Sequence, residues 1–347
     1  MSPLVTPILI ASMVLGTTAT LASSHWLLAW MGLELNTIAI IPLMARRHHP
    51  RAIEATTKYF LIQAAAAALL LFAALSNAWL SGEWAIQHMT HPLTTTLITL
   101  ALALKLGLAP LHAWLPDIIQ GLDLTMGLVL STWQKIAPMA LLLQVRLEDP
   151  STFILLGLLS TLVGGWGGLN QTHLRKLMAY SSIAHLGWMT IIMQFFPGLA
   201  LLNLAIYVFM TTSMFLIFEK LNVTNISALS CAWAKAPLLT AITPLILLSL
   251  GGLPPLTGFA PKWMILQELT KQDLLLLATL AALSALLSLY FYLRLSYAMA
   301  LTISPNTLMA SAPWRLPSTK DSLMTAFFSS LSVLLLPTVP TMLVLLP

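Results

Sequence analysis

Long apolar segments, separated by short polar loops, follow one another along nearly the whole chain. A helix needs about 20 residues to cross a bilayer, and the sequence offers about eleven such segments. Of its 347 residues, 58% are hydrophobic and only 8% are charged, whereas a soluble domain carries about 25% charged residues. Segments of this length satisfy their backbone hydrogen bonds in lipid by forming helices. The sequence therefore predicts an all-α integral membrane protein with one polytopic domain.

Two of the predicted spans, the fourth and the ninth, contain helix breakers. The fourth has Gly107 and Pro110, and the ninth has Pro254, Pro255 and Gly258. Proline removes a backbone donor, and lipid cannot satisfy the carbonyls that this frees, so such breaks lie inside protein or along a hydrated cavity. The predicted spans are 3–22, 26–45, 58–80, 93–120, 125–145, 150–169, 176–196, 199–219, 238–270, 274–298 and 322–346.

The basic loop residues predict the orientation of the chain in the membrane. The side with more of them has ten: Arg46, Arg47, Arg51, Lys58, Arg175, Lys176, Lys220, Lys235, Arg315 and Lys320. The other side has two, Arg146 and Lys271. Lysine and arginine collect on the side that is not translocated. The N-terminus is therefore expected on the positive side and, after eleven crossings, the C-terminus on the other. This bias explains the net charge of +5 better than a nucleic-acid partner does.

The order of the spans predicts an internal repeat. Spans one to five and six to ten each place an interrupted helix fourth, and five crossings separate the two sets, so the sets run in opposite directions. Paired broken helices of this kind are typical of inverted-repeat transporters, where they mark the transport path. We therefore expect two inverted five-helix units, at residues 1–148 and 149–300, followed by a loop and one last helix at 301–347.

A few charged residues fall inside the predicted spans. An ionised group at the membrane centre costs on the order of 2.5 to 3.5 kcal/mol on insertion scales, so Glu34 needs a partner, and Lys105 is the natural candidate. Lys135 lies near the centre of the fifth span, where burial disfavours the charged amine, which makes it a candidate proton relay. Lys262, in the second broken span, is a further candidate. Arg294 is effectively always protonated, and we interpret it as structural.

These lysines also have structural interpretations. Glu34 and Lys105 could form an ion pair without any role in transport, and Lys135 could cap the carbonyls freed in another broken helix. Lys262 could extend its amine to the membrane surface. The sequence leaves these alternatives open.

Other residue types restrict the chemistry of the chain. His112, in the first break, and His185 could relay protons because imidazole titrates near neutral pH. Haem ligation is a rival use for them, but no span carries two deep histidines.

The single cysteine, Cys231, excludes an internal disulfide or a Cys-rich metal site. The glycines of GGWGG (164–168) predict close helix packing and lack a dinucleotide fingerprint, so this chain is not expected to bind NADH. We predict no removable signal at the N-terminus.

Four motifs resemble a known family, the antiporter-like membrane subunits of respiratory complex I. They are KLGLAPLHAWLPD (105–117), STWQKIAP (131–138), GGLNQTHLRKLMAYSSIAHLGW (167–188) and LSLGGLPPLTGFAPKW (248–263). The resemblance runs in order from about Leu33 to Tyr297 and is close to members from animal mitochondria. It implies a proton-translocating subunit that couples electron transfer from NADH to ubiquinone, carried out in other subunits, to proton movement through buried Glu and Lys residues.

The resemblance also implies roles for particular residues. Glu34 and Lys105 match the family's glutamate–lysine pair, Lys135 its central-axis lysine, and Lys262 the lysine of its second broken helix. His112 and His185 match positions on the hydrated polar axis. No cofactor is expected in this chain, because NADH, flavin, iron–sulfur clusters and ubiquinone belong to other subunits. The expected location is the mitochondrial inner membrane, with the N-terminus on the matrix side and the C-terminus on the intermembrane side.

The chain departs from the family's full-length pattern at its N-terminus. Full-length members have fourteen spans, and this chain starts where their fourth would be. We expect another membrane subunit of complex I to cover the region of the missing helices, alongside other membrane subunits and lipid. Two different functions remain as alternatives. One is a free-standing cation/proton antiporter, for which one deep carboxylate offers few ligands to sodium. The other is a structural spacer without its own proton path.

Overall fold

The architecture comes from a computed structural model, which describes residues 4–46, 48–89, 91–145, 150–234, 236–302 and 322–345. The chain divides into two compact units, residues 1–156 and 157–347. Throughout the described ranges the regular structure is helical, apart from two isolated β-bridges. The predicted all-α membrane fold is confirmed. The predicted unit boundary precedes α8 (Ser151–Gly168), whereas the compact units divide within that helix.

The first unit contains the helices that follow the N-terminus. They are α1 (Val5–Ala22), α2 (Trp26–Met44), α3 (Pro50–Ser81), α4 (Pro92–Leu106), α5 (Trp114–Gly121), α6 (Leu124–Ser131) and α7 (Trp133–Gln144). The predicted fourth span is the broken pair α4 and α5. The predicted fifth span is also interrupted, at Thr132, where the hydroxyl bonds the Leu128 carbonyl at 2.8 Å. The sequence did not indicate this interruption.

The second unit contains the remaining helices beyond α8. They are α9 (Leu174–Ile192), α10 (Pro197–Leu221), α11 (Ile226–Ser230), α12 (Pro237–Gly251), α13 (Phe259–Lys271), α14 (Leu275–Leu301), α15 (Ser322–Leu334) and α16 (Val339–Leu345). A 3₁₀ turn, Cys231–Ala234, follows α11. The last predicted span, 322–346, was expected to be one helix but bends by 65° after Leu334. The bend falls at a 3₁₀ turn, Leu336–Thr338, whose central proline lacks a backbone donor.

Judged by length and apolarity, fewer helices qualify as membrane spans than the sequence predicted. Within the described residues seven helices are long and apolar enough to cross a membrane, or eight if the bent last pair counts as one span. The helices α4 and α12 are apolar but have only 15 residues each, because each ends at a break. The count of eleven spans therefore stays a prediction, although every predicted span coincides with a helix or a helix pair.

Many large apolar side chains point outward from the helices, as lipid contact requires. Leu15, Phe72 and Leu276 are 65%, 64% and 75% exposed. A soluble surface rarely carries contiguous apolar patches of this kind. Some helices meet through glycine instead: a Cβ added to Gly16 would lie 2.8 Å from the Gly32 carbonyl oxygen, so α1 and α2 approach closely. The glycines of 164–168 abut side chains or backbone of α9 and α14, which confirms the predicted packing role.

The same loop contact occurs in both units and supports an internal repeat. One β-bridge joins the residue before α2 to the loop before α4, and the other joins the residue before α9 to the residue before α11. Each bridge is flanked by two backbone hydrogen bonds in the same pattern: Trp26 to Trp84 and Ile86 to Ser24 in the first unit, Leu174 to Thr224 and Ile226 to Thr172 in the second. The two units thus share a local architecture.

Candidate functional site: two broken helices with buried lysines

Both broken helices end in the same way, at a glycine. Gly107 after α4 and Gly252 after α12 have φ values of 78° and 82°, a left-handed conformation that glycine adopts without steric cost. Leu108 donates to the Ala103 carbonyl at 3.0 Å, and Leu253 donates to the Leu248 carbonyl at 3.3 Å. This is the Schellman end of a helix, which satisfies carbonyls that lipid would leave unpaired. The helices therefore stop at glycine, before Pro110 and Pro254 of the breaks.

A sequence repeat accompanies the two breaks. The segments are GLAPLHAWLPD, from Gly107, and GLPPLTGFAPK, from Gly252, and each places the start of the next helix seven residues after the glycine. The alignment pairs Lys262 with Asp117, and it pairs Lys105 with an apolar residue. The breaks therefore repeat in backbone, while each carries its lysine at a different position. Aligning the two segments would have found this repeat from the sequence.

In the first unit, Lys105 lies in the last turn of α4, beside Glu34 of α2. The Lys105 Nζ and the Glu34 Oε1 are 3.9 Å apart, and the side chains are 2% and 24% exposed. Both atoms are buried without a hydrogen-bond partner among the described residues. Glu34 also receives a weak contact from the Thr37 hydroxyl at 3.4 Å. This long pair balances charge without a direct hydrogen bond, which leaves the lysine amine available to other groups.

Lys105 and Lys135 line one small cavity in the first unit. The cavity has a volume of about 20 Å³ for the centres of water molecules, and about 10–15 Å³ suffices for one water. Lys135 is 2% exposed and lies in the first turn of α7. Polar side chains that also line this Lys105–Lys135 cavity are Asn36, Thr37, Tyr59, Gln63 and Gln134. Among the residues that line the cavity, the sequence indicated the lysines but none of these neutral polar side chains.

Side chains from neighbouring segments cap the freed carbonyls at the end of α4. The Trp114 indole donates to the Leu104 carbonyl at 3.2 Å, and the Gln63 amide lies 3.4 Å from the Lys105 carbonyl. These contacts fix the last turn of α4 and therefore the backbone that carries Lys105. The break is thus held by α3 and by the first residue of α5.

In the second unit, Lys262 caps the end of its own broken helix. Its Nζ donates to the Gly251 carbonyl at 2.9 Å and lies 3.5 Å from the Leu250 carbonyl. The residue is 9% exposed. A cation at a helix C-terminus is favoured by the helix dipole, so the break itself supplies the negative partner. The amine points into the protein, which argues against the alternative of a lysine extended to the membrane surface.

The second break is also tied to α15. The Ser249 and Thr257 hydroxyls are 2.8 Å apart, and both bond the Ser332 carbonyl of α15. Gly258 lies so close to this network that an added Cβ would collide with the Ser249 carbonyl oxygen. Pro254 and Pro255 lie between the two helix ends. The helix therefore ends at Gly252, which was not among the predicted breakers of this span. The predicted breaker Gly258 instead lets the chain pass close to the Ser249 carbonyl.

The two candidate histidines lie in different settings. His112 is partly exposed in the first break, with its Nδ1 3.3 Å from the Pro110 carbonyl oxygen, and it does not line the Lys105–Lys135 cavity. His185 is buried in α9, with its ring centroid 5.5 Å from that of Tyr207. The Tyr207 hydroxyl is in turn hydrogen-bonded to Ser182. His185 therefore belongs to a polar cluster of the second unit.

Arg294 contacts backbone at the end of α8. Its guanidinium donates to the Leu169 carbonyl at 2.6 Å and to the Gln171 carbonyl. These bonds fix the connection between α8 and α9, in keeping with the structural role expected of this residue. In the part of the chain that the structure describes, no three His, Cys, Asp or Glu side chains come together as a metal site.

Comparisons with known proteins identify the family. Residues 23–288 match the family described as NADH:quinone oxidoreductase/Mrp antiporter, TM, and residues 289–343 match NADH dehydrogenase subunit 2 C-terminus. The chain is 66% identical to NADH-ubiquinone oxidoreductase chain 2 of Tetraodon nigroviridis over 99% of both chains. It is 63% identical to the protein of the same name from Salmo salar, over 100% of this chain and 99% of that one.

A solved structure agrees with these sequence matches. A chain of respiratory complex I from Thermus thermophilus with bound aureothin is 29% identical and has a TM-score of 0.82, covering 96% of this chain and 79% of that one. The fold and the paired breaks thus define a membrane subunit of the antiporter class. The chain belongs to the NADH:quinone oxidoreductase/Mrp antiporter membrane family and, within it, to the NADH-ubiquinone oxidoreductase chain 2 family. The resemblance noted in the sequence is confirmed.

Proposed function

We propose that this chain is a proton-translocating membrane subunit of respiratory complex I and that protons cross its first unit by way of Glu34, Lys105 and Lys135. One observation carries the proposal: the buried Lys105 amine lies 3.9 Å from the Glu34 carboxylate and lines the same cavity as Lys135. Intramembrane ionisable residues commonly mark ion paths and proton relays. NADH, flavin, iron–sulfur clusters and ubiquinone bind to other subunits of the complex.

The chemistry of the three residues is a coupled titration. Two ammonium groups beside one small cavity disfavour each other, whereas the Glu34 carboxylate favours a proton on Lys105. A proton gained by one member therefore changes the proton affinity of the next, and the protonation states belong to the set. A charge change imposed at one end by a neighbouring subunit moves a proton along the set.

The second unit handles its proton differently, because Lys262 has backbone partners. While protonated, its amine is held by the Gly251 carbonyl at the end of α12. Loss of the proton removes the charge that makes this contact strong, so the neutral amine is free to leave. We assign Lys262 as the titrating residue of the second break, with His185 a second candidate in that unit and His112 a candidate at the first break.

The location follows from the same assignment. The relatives from Tetraodon nigroviridis and Salmo salar are named NADH-ubiquinone oxidoreductase chain 2, and we place this chain in the mitochondrial inner membrane. The N-terminus lies on the matrix side and the C-terminus on the intermembrane side. Its partners are other membrane subunits of the complex, together with lipid.

The test replaces Lys105 by Met and measures protons moved per electron in sealed vesicles containing the assembled complex. The proposal predicts a lower ratio at unchanged complex content, because the titrating amine is gone and the apolar stem is kept. Lys58→Met is the matched control, since Lys58 pairs with Glu54 on the exposed side of α3 and should leave the ratio unchanged. An undiminished ratio in Lys105→Met would refute the relay.

Two other outcomes would support the alternative functions. Sodium flux through the isolated chain in liposomes would indicate a free-standing cation/proton antiporter. Loss of assembly and activity together, in every charge-removing variant, would indicate a structural spacer.

A further inference from the structure

Two neutral amide side chains, those of Asn36 and Gln134, are hydrogen-bonded to each other in the first unit, beside the proposed relay. The Gln134 Nε2 of α7 donates to the Asn36 Oδ1 of α2 at 3.0 Å. Gln134 directly precedes Lys135, and Asn36 lies half a turn beyond Glu34. This Asn36–Gln134 pair therefore joins the helix that carries the relay carboxylate to the helix that carries the second relay lysine.

Both amides line the Lys105–Lys135 cavity. Asn36 is 1% exposed, and its backbone nitrogen would lie 3.0 Å from a Cβ added to Gly16, so α1 packs tightly behind it. Burying neutral amides among apolar helices costs free energy unless they are hydrogen-bonded. Their bond to each other uses one donor and one acceptor, and each amide has further donor and acceptor capacity.

One polar group that lines the cavity, the Lys105 amine, lacks a hydrogen-bond partner among the described residues. This amine is buried, and as an ammonium it has three donors. The cavity volume of about 20 Å³ has room for about one water, and a buried water typically makes about three hydrogen bonds. The cavity therefore has room for a water molecule and enough polar side chains to hold it by hydrogen bonds.

We propose that the Asn36–Gln134 pair holds and orients the water that connects Lys105 to Lys135. Amides suit this task because they donate and accept hydrogen bonds but do not titrate, so they position water without retaining its proton. A carboxylate at either position would instead form a lasting ion pair with a lysine. The two residues are positioning residues, and the inference rests on the relay proposed above.

The experiment breaks the amide pair and then rebuilds it in reverse. Gln134→Met and Asn36→Leu each keep the approximate side-chain volume but remove the hydrogen bond. The swap Asn36→Gln/Gln134→Asn restores an amide pair with the same total side-chain length. Gln267→Met is the matched control, because Gln267 lies exposed on α13. Protons moved per electron and complex content are measured for each variant, with Lys135→Met as the reference for a blocked relay.

The proposal expects Gln134→Met and Asn36→Leu to lose at least half of the pumping that Lys135→Met loses, at normal complex content, with recovery in the swap. A high-resolution map should contain water density between Lys105 and Lys135 in the native complex and lack it in Gln134→Met, a readout that a purely structural role would not change. Native pumping in both amide variants, while Lys135→Met fails, would overturn this inference and leave the relay standing.

Two further results would also overturn it. Native pumping in Lys135→Met would refute the proposed function itself, and the inference with it. Failure of both single variants and of the swap to assemble would make the amide pair a packing element, since a rebuilt amide bond would then restore nothing.

Discussion

Removal of the Glu34 carboxylate should destabilise the first unit more than removal of its lysine partner. Two unit charges 3.9 Å apart attract by about 4 kcal/mol at an effective dielectric constant of about 20 and by about 1 kcal/mol in bulk water. Glu34 is partly exposed, so the value for this pair lies between those limits. A substitution on either side removes this attraction, but the charge that remains differs between the two variants.

The exposure of the two side chains decides which of the two single variants is less stable. In Glu34→Gln the remaining charge is Lys105, whose side chain is 2% exposed, whereas in Lys105→Met it is Glu34, at 24%. An uncompensated buried charge costs more than one that water reaches. Glu34→Gln should therefore be the less stable single variant, and the double variant Glu34→Gln/Lys105→Met should be more stable than Glu34→Gln alone.

Thermal inactivation of the purified complex, at fixed detergent and lipid, gives the order of the variants. The control is Glu54→Gln, which breaks the exposed pair with Lys58 and should shift the inactivation temperature little, because water solvates the remaining lysine. A double variant no more stable than Glu34→Gln would refute the reasoning, since it would mean that Lys105 does not depend on Glu34 for its charge.

Two further predictions concern backbone contacts. Gly107→Ala and Gly252→Ala both place a side chain in the left-handed region, at about 1–2 kcal/mol, but only at Gly252 would the new Cβ also lie 2.9 Å from the Lys262 Cδ. Gly252→Ala should therefore give the lower yield of assembled complex on native gels, and equal yields would contradict this. Arg294→Met leaves the Leu169 and Gln171 carbonyls without their guanidinium donors and should cost about 1–3 kcal/mol. It should lower the inactivation temperature and leave protons per electron unchanged, and reduced pumping in a fully assembled variant would show that Arg294 is more than structural.

The sequence was most informative where one residue type is costly in lipid. Charges inside apolar segments pointed to Glu34, Lys105, Lys135 and Lys262, because an intramembrane charge needs a reason to be there. The glycines and prolines located both breaks, because their backbone preferences are local. The structure places Lys105 beside Glu34 and Lys135 on the same cavity.

The rest of the site depends on contacts between segments that are distant in the chain. Asn36 and Gln134 are 98 residues apart, and a single neutral amide in a span has no distinctive pattern. The partner of Lys262 is a backbone carbonyl, which no residue type marks. Neutral polar residues inside apolar spans, considered together with the charged ones, were the signal that could have indicated the cavity.

The most direct test of the proton relay is the pumping stoichiometry of a complex that carries Lys135→Arg. Arginine keeps the positive charge at this buried position but does not release its proton in a protein, so the substitution separates charge from titration. The relay predicts fewer protons per electron than in the native complex, at equal complex content. Native stoichiometry in Lys135→Arg would contradict the relay, because a fixed charge would then serve as well as a titrating amine.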